Sequence, residues 1–364
     1  MTDKQTSMPR LGVLISGGGT TLQNLAEQIA SGKLRATIGV VIASNGHCHG
    51  IERARRLGLP VEVITRKEAG GGAGGGTLEA FSERIAGALR AARVDLALMA
   101  GFLSLWTIPE DFQGRVMNIH PALLPKFGGK GMHGRHVHEA VLAAGEKESG
   151  CTVHFADNRY DTGPVILQRR VRVEAGDTAE TLAARVFEQE KVAYPEAVRW
   201  WGEGVLERGG ERAYLRKVVA YITRTAPGGG REMLVFEHVH VPEAGTQVVQ
   251  GTLHHGEDAE AGVLREAREE TGLEGLRVVR KLGVFWWRNV EWGCWFERHV
   301  YELAAGADVA ETWEHYETDG GRIGESVEKL FRFRWAGVEE AGKLAGGQGL
   351  YAGGLLMGAP PGGL

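Results

Sequence analysis

Leu11-Gly12-Val13-Leu14-Ile15-Ser16 runs without a charged residue into Gly17-Gly18-Gly19-Thr20-Thr21-Leu22, and the reading of this stretch decides the fold. The apolar run, Leu11–Ser16, predicts a buried strand. The glycines allow a sharp turn and the close approach of backbone to a ligand. Thr21–Ala30 then places Leu22, Leu25, Ala26 and Ile29 at helical spacing. The free N–H groups of such a helix start favour an anion. The turn is neither a Walker loop, since no Lys follows, nor a GxGxxG fingerprint, since Leu22 stands in the wrong place. Taken alone, it is also what a tight strand-to-helix connection without a ligand looks like.

Outward from this stretch the same alternation continues. Thr37–Ala43 reads as a strand, Ile51–Leu57 as a helix, Val61–Ile64 as a strand, Leu78–Ala92 as a helix and Asp95–Met99 as a strand. This rhythm predicts an α/β domain with a parallel sheet covered by helices. Further strands are expected near Val116–Ile119, Cys151–Phe155 and Val165–Val173, and a long helix over Ala179–Trp201 capped by Thr178. Gly202–Gly210, rich in glycine and charge, marks a boundary between domains at 1–208 and 209–364. Beyond it, Leu215–Thr223, Met233–His238, Val278–Trp287 and Trp295–Leu303 read as strands, and Glu257–Gly272 as a loop feeding a helix. The glycine runs Gly70–Gly76 and Gly228–Gly230 read as flexible loops, and the tail Gly346–Leu364 as poorly packed.

Composition narrows the function classes. With 43% hydrophobic and 24% charged residues the chain resembles ordinary soluble globular proteins. No apolar run reaches the ~18 residues of a membrane helix. Met1–Arg10 lacks a signal-peptide core, so a cytoplasmic protein without a membrane partner is expected. Cys48, Cys151 and Cys294 form no CxxC pair and read as reduced thiols. Residues 1–208 hold 25 Lys and Arg against 23 Asp and Glu, a net +2, whereas residues 209–364 hold 17 against 23, a net −6. The acidic second half argues against a nucleic-acid partner and for a small anionic substrate reached through a cation.

Asn118-Ile119-His120-Pro121-Ala122-Leu123-Leu124-Pro125 follows a strand, and positions 118 and 120 point to one face of it. An amide there can donate to a developing oxyanion, and an imidazole can shuttle a proton near neutral pH. Asp161-Thr162-Gly163-Pro164 stands at the mouth of another strand, where a carboxylate can orient the imidazole. Singly, His120 is better read as a hydrogen-bonded structural histidine and Asp161 as a turn residue.

Together, Ser16–Leu22, Asn118–Pro125, Ser149–His154 and Asp161–Gln168 resemble the folate-dependent glycinamide ribonucleotide formyltransferases, over about residues 10–203. The resemblance implies a Rossmann-like domain with a mostly parallel sheet and transfer of the formyl group of 10-formyltetrahydrofolate in purine synthesis. It implies that Asn118, His120 and Asp161 are catalytic. Gly19, Thr20 and Thr21 would hold the substrate phosphate, and Glu190 the ribose hydroxyls. Leu103, Ser104, Leu105, Trp106 and Asn118, with the loop around Asp157–Asp161, would line the folate pocket, and the step would need no metal. Gly18 and Thr21 depart from the family's turn. Leu78 stands where relatives commonly have an Arg, with Arg66 and Lys67 as substitutes to consider. His133, His136 and His138 lack a metal-ligand spacing and read as a loop beside the active site.

In the second half, Gly251, Glu257 and Arg265-Glu266-Ala267-Arg268-Glu269-Glu270-Thr271-Gly272-Leu273 fall at a fixed spacing. Glu266, Glu269 and Glu270 share a helix face, where carboxylates repel unless a hard cation sits among them. Arg265 can hold a neighbouring Glu, and Gly272 suits a helix end. A surface helix rich in Glu and Arg is the plainer alternative. This stretch resembles the Nudix box with no fixed position broken. The resemblance implies an α/β/α sandwich domain with Glu266, Glu269 and Glu270 as ligands of Mg²⁺ or Mn²⁺, hydrolysing a nucleoside-diphosphate-linked compound. Trp286, Trp287 and Trp292, expected in the following strands, either stack on a base or fill the core. Two other readings stand beside these: a formyltetrahydrofolate hydrolase in the first half, and a non-catalytic nucleotide-sensing module in the second.

Overall fold

The computed structural model describes residues 8–70, 76–209, 212–306, 308–317, 329–352 and 355. The chain divides into two compact units. One comprises Met1–Glu203 with Arg208–Ala213 and Asn289–Trp295, and the other comprises Gly204–Glu207, Tyr214–Arg288 and Phe296–Leu364.

The first unit contains β1 (Arg10–Ile15), α1 (Thr20–Ala30), β2 (Thr37–Ala43), α2 (His49–Arg56), β3 (Val61–Val63), α3 (Leu78–Ala91), β4 (Leu96–Met99), β5 (Val116–His120), α4 (Arg135–Ala143), β6 (Glu148–Phe155), β7 (Val165–Arg172) and α5 (Ala179–Gly202). Its sheet has the order β3-β2-β1-β4-β5-β6-β7. The pairs from β3 to β5 are parallel, while β5–β6 and β6–β7 are antiparallel. The strand order reverses at β1, so the crevice beyond the carboxyl ends of β1 and β4 is where such a sheet takes a ligand. Leu14, Val40, Ile42, Ala97 and Val116 of the strands pack with Phe81, Ile85 and Leu89 of α3. Thr178 caps α5 in a capping box with Thr181. From α5, the buried Tyr194 hydroxyl donates to the carbonyls of Met99 (3.1 Å) and Met117 (2.9 Å), tying the helix to β4 and β5.

One element differs from expectation. The segment of His133, His136 and His138, read as a loop, contains helix α4, because Val137, His138 and Val141 are buried along one face. The histidine hides the apolar spacing. Residues 71–75 of the Gly70–Gly76 run lie outside the described residues.

The rest of the chain forms β8 (Leu206–Gly209), β9 (Arg212–Thr225), β10 (Arg231–His238), β11 (Val249–Thr252), α6 (Ala259–Thr271), β12 (Arg277–Arg288), β13 (Trp295–Ala304), β14 (Thr312–Tyr316) and β15 (Leu330–Gly337), most of which make up the second unit. The sheet runs β12-β13-β9-β10-β15-β14, with β8 and β11 also paired to β9. Val218, Ala220 and Ile222 of β9 face a core shared with Val263 and Ala267 of α6. The intervening Val219 and Tyr221 face a second core with Met233, Val235 and Val248. Both faces of β9 are covered, so it reads as a continuous apolar run rather than an alternation. Short 3₁₀ turns at Val338–Lys343 and Ala345–Tyr351 follow β15.

The described part of the tail is anchored to the sheet. Buried Gln348 accepts from Val248 N through Oε1 (2.9 Å), and its backbone carbonyl accepts from the Tyr221 hydroxyl. Residues 353–354 and 356–364 lie outside the described residues. Trp292 sits in the turn between β12 and β13, not in a strand. The three cysteines are buried, and Cys48 and Cys151 are free thiols. Among the described residues no helix is long and apolar enough to cross a membrane.

Candidate active site

A cavity of about 670 Å³ in the first unit is lined by, among others, Thr21, Leu103, Asn118, His120, Asp161 and Glu190. Asn118 and His120 come from β5, and Asp161 from the β6–β7 connection, where it holds the left-handed conformation (φ 55°). Asn118 Nδ2 donates to Asp161 Oδ1 (3.2 Å) and lies 3.1 Å from His154 Nε2. His154 Nδ1 lies 2.9 Å from the Phe155 carbonyl, which only accepts, so Nδ1 carries the hydrogen and Nε2 accepts from Asn118. Burial holds the His154 imidazole below its ordinary pKa, in keeping with a neutral ring.

The same reasoning fixes His120. Its Nε2, 2.8 Å from the Phe127 carbonyl, donates, and its Nδ1 lies 3.6 Å from Asp161 Oδ1. The other Asp161 oxygen accepts from Gly129 N (2.9 Å). Both groups therefore also hold the loop that follows β5.

The glycine turn adjoins this cavity. Gly19 (φ 73°) precedes α1 with no side-chain cap and no acidic residue in the first turn, leaving the helix N–H groups for a ligand. A Cβ on Gly19 would stand 2.8 Å from Gly50 Cα, whereas Gly17 and Gly18 face open space. Thr21 reaches the cavity wall, as does Glu190 of α5. Burial pushes the Glu190 carboxyl up to about 7. A second cavity, of about 60 Å³, is lined by Ser104, Leu105, Trp106 and Asp157 and shares Phe102, Asn118, Tyr160 and Asp161 with the first.

In the second unit, Asp258 caps α6, its carboxylate accepting from Glu260 N and Ala261 N (3.0 Å each), and Gly272 ends it in the left-handed conformation (φ 70°). Arg265 is the hub. It grips Glu257 through two bonds (2.9 and 3.0 Å) and donates to Glu266 (3.0 Å), Glu269 (2.9 Å) and the Thr252 carbonyl (3.2 Å). Glu266 also accepts from Thr252 N (2.9 Å). A Cβ on Gly251 would stand 1.7 Å from the Glu266 carboxyl carbon, so only glycine lets that carboxylate lie against β11. Glu270 is buried and its Oε2 has no partner. Burial, then the neighbouring Glu266, holds its carboxyl well above the ordinary range, and burial also raises that of Glu266. Among the described residues no group of three or more His, Cys, Asp or Glu is arranged to hold a metal ion.

A family model described as formyl transferase matches residues 9–198. The chain belongs to the formyl transferase family. A second model, described as NUDIX domain, matches residues 214–351, so the chain is an enzyme that fuses these two kinds of domain. It is 38% identical over 206 residues to the chloroplastic phosphoribosylglycinamide formyltransferase of Arabidopsis thaliana, covering 54% of this chain and 69% of that protein. It is 35% identical to the phosphoribosylglycinamide formyltransferase of Haemophilus influenzae, covering 57% of this chain and 94% of that one. Among solved structures, glycinamide ribonucleotide transformylase 1 from Symbiobacterium toebii matches with a TM-score of 0.53 and 38% identity, over 59% of this chain and 97% of that one.

Within the formyl transferase domain, the fold brings Thr21, Asn118, His120, Asp161, Glu190 and Leu103 to one cavity and Ser104, Leu105 and Trp106 to its neighbour. Gly19 and Thr20 stand at the helix start beside Thr21. Leu78 opens α3, and the exposed Arg66 and Lys67 line neither cavity. Residue-by-residue reading missed His154, the partner of Asn118, and the Phe127 and Gly129 anchors. His154 and Asn118 are register neighbours across β5–β6, a pairing that no local pattern reveals. His138 is also at the cavity wall, buried, with no partner for Nδ1.

Proposed function

We propose that the first domain, residues 1–208, transfers the formyl group of 10-formyltetrahydrofolate to the amine of glycinamide ribonucleotide, a cytoplasmic step of de novo purine synthesis. The observation that carries this reading is one cavity lined by a helix-start residue, Thr21, a carboxylate, Glu190, and the Asn118–His120–Asp161 group. The uncapped start of α1 at Gly19, Thr20 and Thr21 would take the phosphate, and Glu190 would accept from the ribose hydroxyls. The free amine attacks the formyl carbon, and the carbonyl electrons move to oxygen. Asn118 would exchange its bond to Asp161 for one to this oxyanion, and His120, in its doubly protonated form, would donate to it from Nδ1 while Nε2 stays on the Phe127 carbonyl. Asp161 would keep the His120 ring in place and pass the amine's proton toward N10 as the C–N10 bond breaks, leaving formylated product and tetrahydrofolate. A spectrophotometric assay with glycinamide ribonucleotide and a formylated folate tests the reading. No turnover by the parent chain rules it out.

Glu190 gives this site a pH signature. Its folded value is raised to about 7, so the carboxylate forms only as the pH passes through 7. KM for the ribonucleotide is expected to fall between pH 6 and 8.5 in the parent, and to fall less in Glu190→Gln, where the substrate's own phosphate and amine still titrate but the carboxylate does not. The unfolded chain ionises this group near the usual ~4.3, so rising pH destabilises the fold through Glu190 until 7 is passed. Thermal melts should show Glu190→Gln more stable than the parent at pH 8 and equal to it at pH 4. Equal melting of the two at pH 8 contradicts the assignment.

For the second domain, residues 209–364, we infer a Mg²⁺- or Mn²⁺-dependent hydrolase of a nucleoside-diphosphate-linked compound. By their chemistry, though not by a converged arrangement of three among the described residues, these side chains suit a hard cation: an oxygen-only donor set, a buried Glu270 oxygen with no partner, and a raised Glu266 carboxyl, all of which a positive charge would satisfy. Glu266, Glu269 and Glu270 would hold it, and the bound ion would neutralise diphosphate oxygens and activate water. Arg265, gripped by Glu257, would fix Glu266 and Glu269. Screening nucleotides with Mg²⁺ by product mass, Glu269→Gln and Glu270→Gln should each lower turnover by roughly 10³-fold. A parent chain that binds but never cleaves would instead support a nucleotide-sensing module.

A further inference from the structure

Pro195 lies inside helix α5. A proline has no N–H, so the carbonyl four residues earlier, that of Lys191, receives no bond from the helix's own ladder. Such a carbonyl, left unpaired away from water, costs about as much as a lost hydrogen bond. Helix α5 nevertheless runs on from Ala179 to Gly202. The missing donor comes from another helix: Asn24 Nδ2 of α1 donates to the Lys191 carbonyl at 3.0 Å. Asn24 is 7% exposed, between the buried Leu22 and Leu25. Asparagine is a poor helix former and its amide is costly to bury unbonded, so packing alone does not call for it there.

The place of this bond matters. Asn24 stands about one turn after Thr21, and Lys191 follows Glu190; Thr21 and Glu190 line the same cavity. The turn of α5 that carries Glu190 is thus held from two sides. On the sheet side, the Tyr194 hydroxyl bonds the Met99 and Met117 carbonyls and fixes the turn against β4 and β5. On the other side, Asn24 fixes it against α1, the helix whose uncapped start adjoins the cavity.

We propose that Asn24 is a positioning residue for the ribonucleotide: by bonding the carbonyl that Pro195 leaves without a donor, it sets the span between the start of α1 and Glu190 to that between a phosphate and the hydroxyls of its ribose. The assignment rests on the phosphate and ribose reading above and adds to it the group that fixes their spacing. A ligand that touches α1 alone does not sense this span. A ligand that reaches both helices gains both contacts only when the span is held, because a sugar ring has little freedom to follow a helix that has drifted.

The experiment measures dissociation constants of the full chain for ribose 5-phosphate and for inorganic phosphate at pH 8, where the Glu190 carboxyl is largely ionised. The parent, Asn24→Leu, Pro195→Ala and the double variant are compared. Leucine keeps the branched shape of asparagine and removes the donor. Alanine at 195 gives the Lys191 carbonyl a backbone N–H of its own. The double variant therefore satisfies α5 without the tie to α1, and should fold even where Asn24→Leu does not. Losing the tie should weaken ribose 5-phosphate about tenfold, the worth of one hydrogen bond to a charged group, and leave inorganic phosphate unchanged. The same loss is expected in the double variant relative to Pro195→Ala. Unchanged ribose 5-phosphate binding in that comparison shows that Asn24 only satisfies a carbonyl, and overturns the assignment; so does an equal loss of both ligands. A parent that binds neither compound overturns the ribonucleotide reading and this assignment with it.

Discussion

His120→Ala should lower kcat for formyl transfer by about 10³-fold, within the range that a positioned proton donor contributes, and change KM far less. The imidazole is 3% exposed, with Nε2 bonded to the Phe127 carbonyl at 2.8 Å and Nδ1 facing Asp161 at 3.6 Å. A ring so placed is orientationally frozen before any substrate arrives, and that preorganisation is what the substitution removes. The Phe127 bond is lost as well, but Asp161 keeps the following loop in place through Gly129 N at 2.9 Å, so the binding wall survives. Adding imidazole to the assay separates chemistry from architecture. Partial rescue of kcat in His120→Ala, with none in Asn118→Ala, is the outcome expected of a missing proton donor. A variant that retains kcat within about threefold of the parent removes His120 from the mechanism, since a catalytic proton donor is worth at least ~10²-fold.

Much of this site was legible in the sequence because its determinants are local. A strand, a glycine turn and a helix start lie within twelve residues, and Asn118 and His120 share a strand face by simple alternation. The Gly251–Leu273 spacing likewise fits into one loop and one helix, α6. What escaped was non-local or disguised. His154 meets Asn118 only because β5 and β6 run antiparallel in one particular register, and register is set by pairing rather than by pattern. Helix α4 was hidden because buried His138 takes a place among Val137 and Val141 that a polar residue seldom fills. Strand β11 was hidden by Gly251, since glycine in a strand argues against one, and the reason for it, the Glu266 carboxylate lying against the backbone, belongs to a helix fifteen residues on.

Gly163→Ala should destabilise the first domain by at least ~3 kcal/mol, the upper range for overpacking, and lower kcat with it. A Cβ at this position would stand 1.9 Å from the Phe155 carbonyl oxygen and 2.9 Å from its carbon. Both are backbone atoms of β6, so no side chain can swing aside. Phe155 N is bonded to the Pro164 carbonyl at 2.9 Å, which clamps the two segments together at that point. Relief therefore requires either the end of β6 or the turn from Asp161 to Pro164 to move. The first shifts His154, which orients Asn118, and the second shifts Asp161, which touches Asn118, His120 and Gly129. A displacement near 1 Å is enough to cost about 10²-fold in rate, so melting temperature and kcat should fall together, the former by about 10 °C. Gly17→Ala is the matched control. Its Cβ would meet nothing within 4 Å, so stability should be retained while KM for the ribonucleotide rises where backbone and phosphate need to approach. If Gly163→Ala melts with the parent, the close approach of the Gly163 turn to β6 is not what holds Asp161 beside His120.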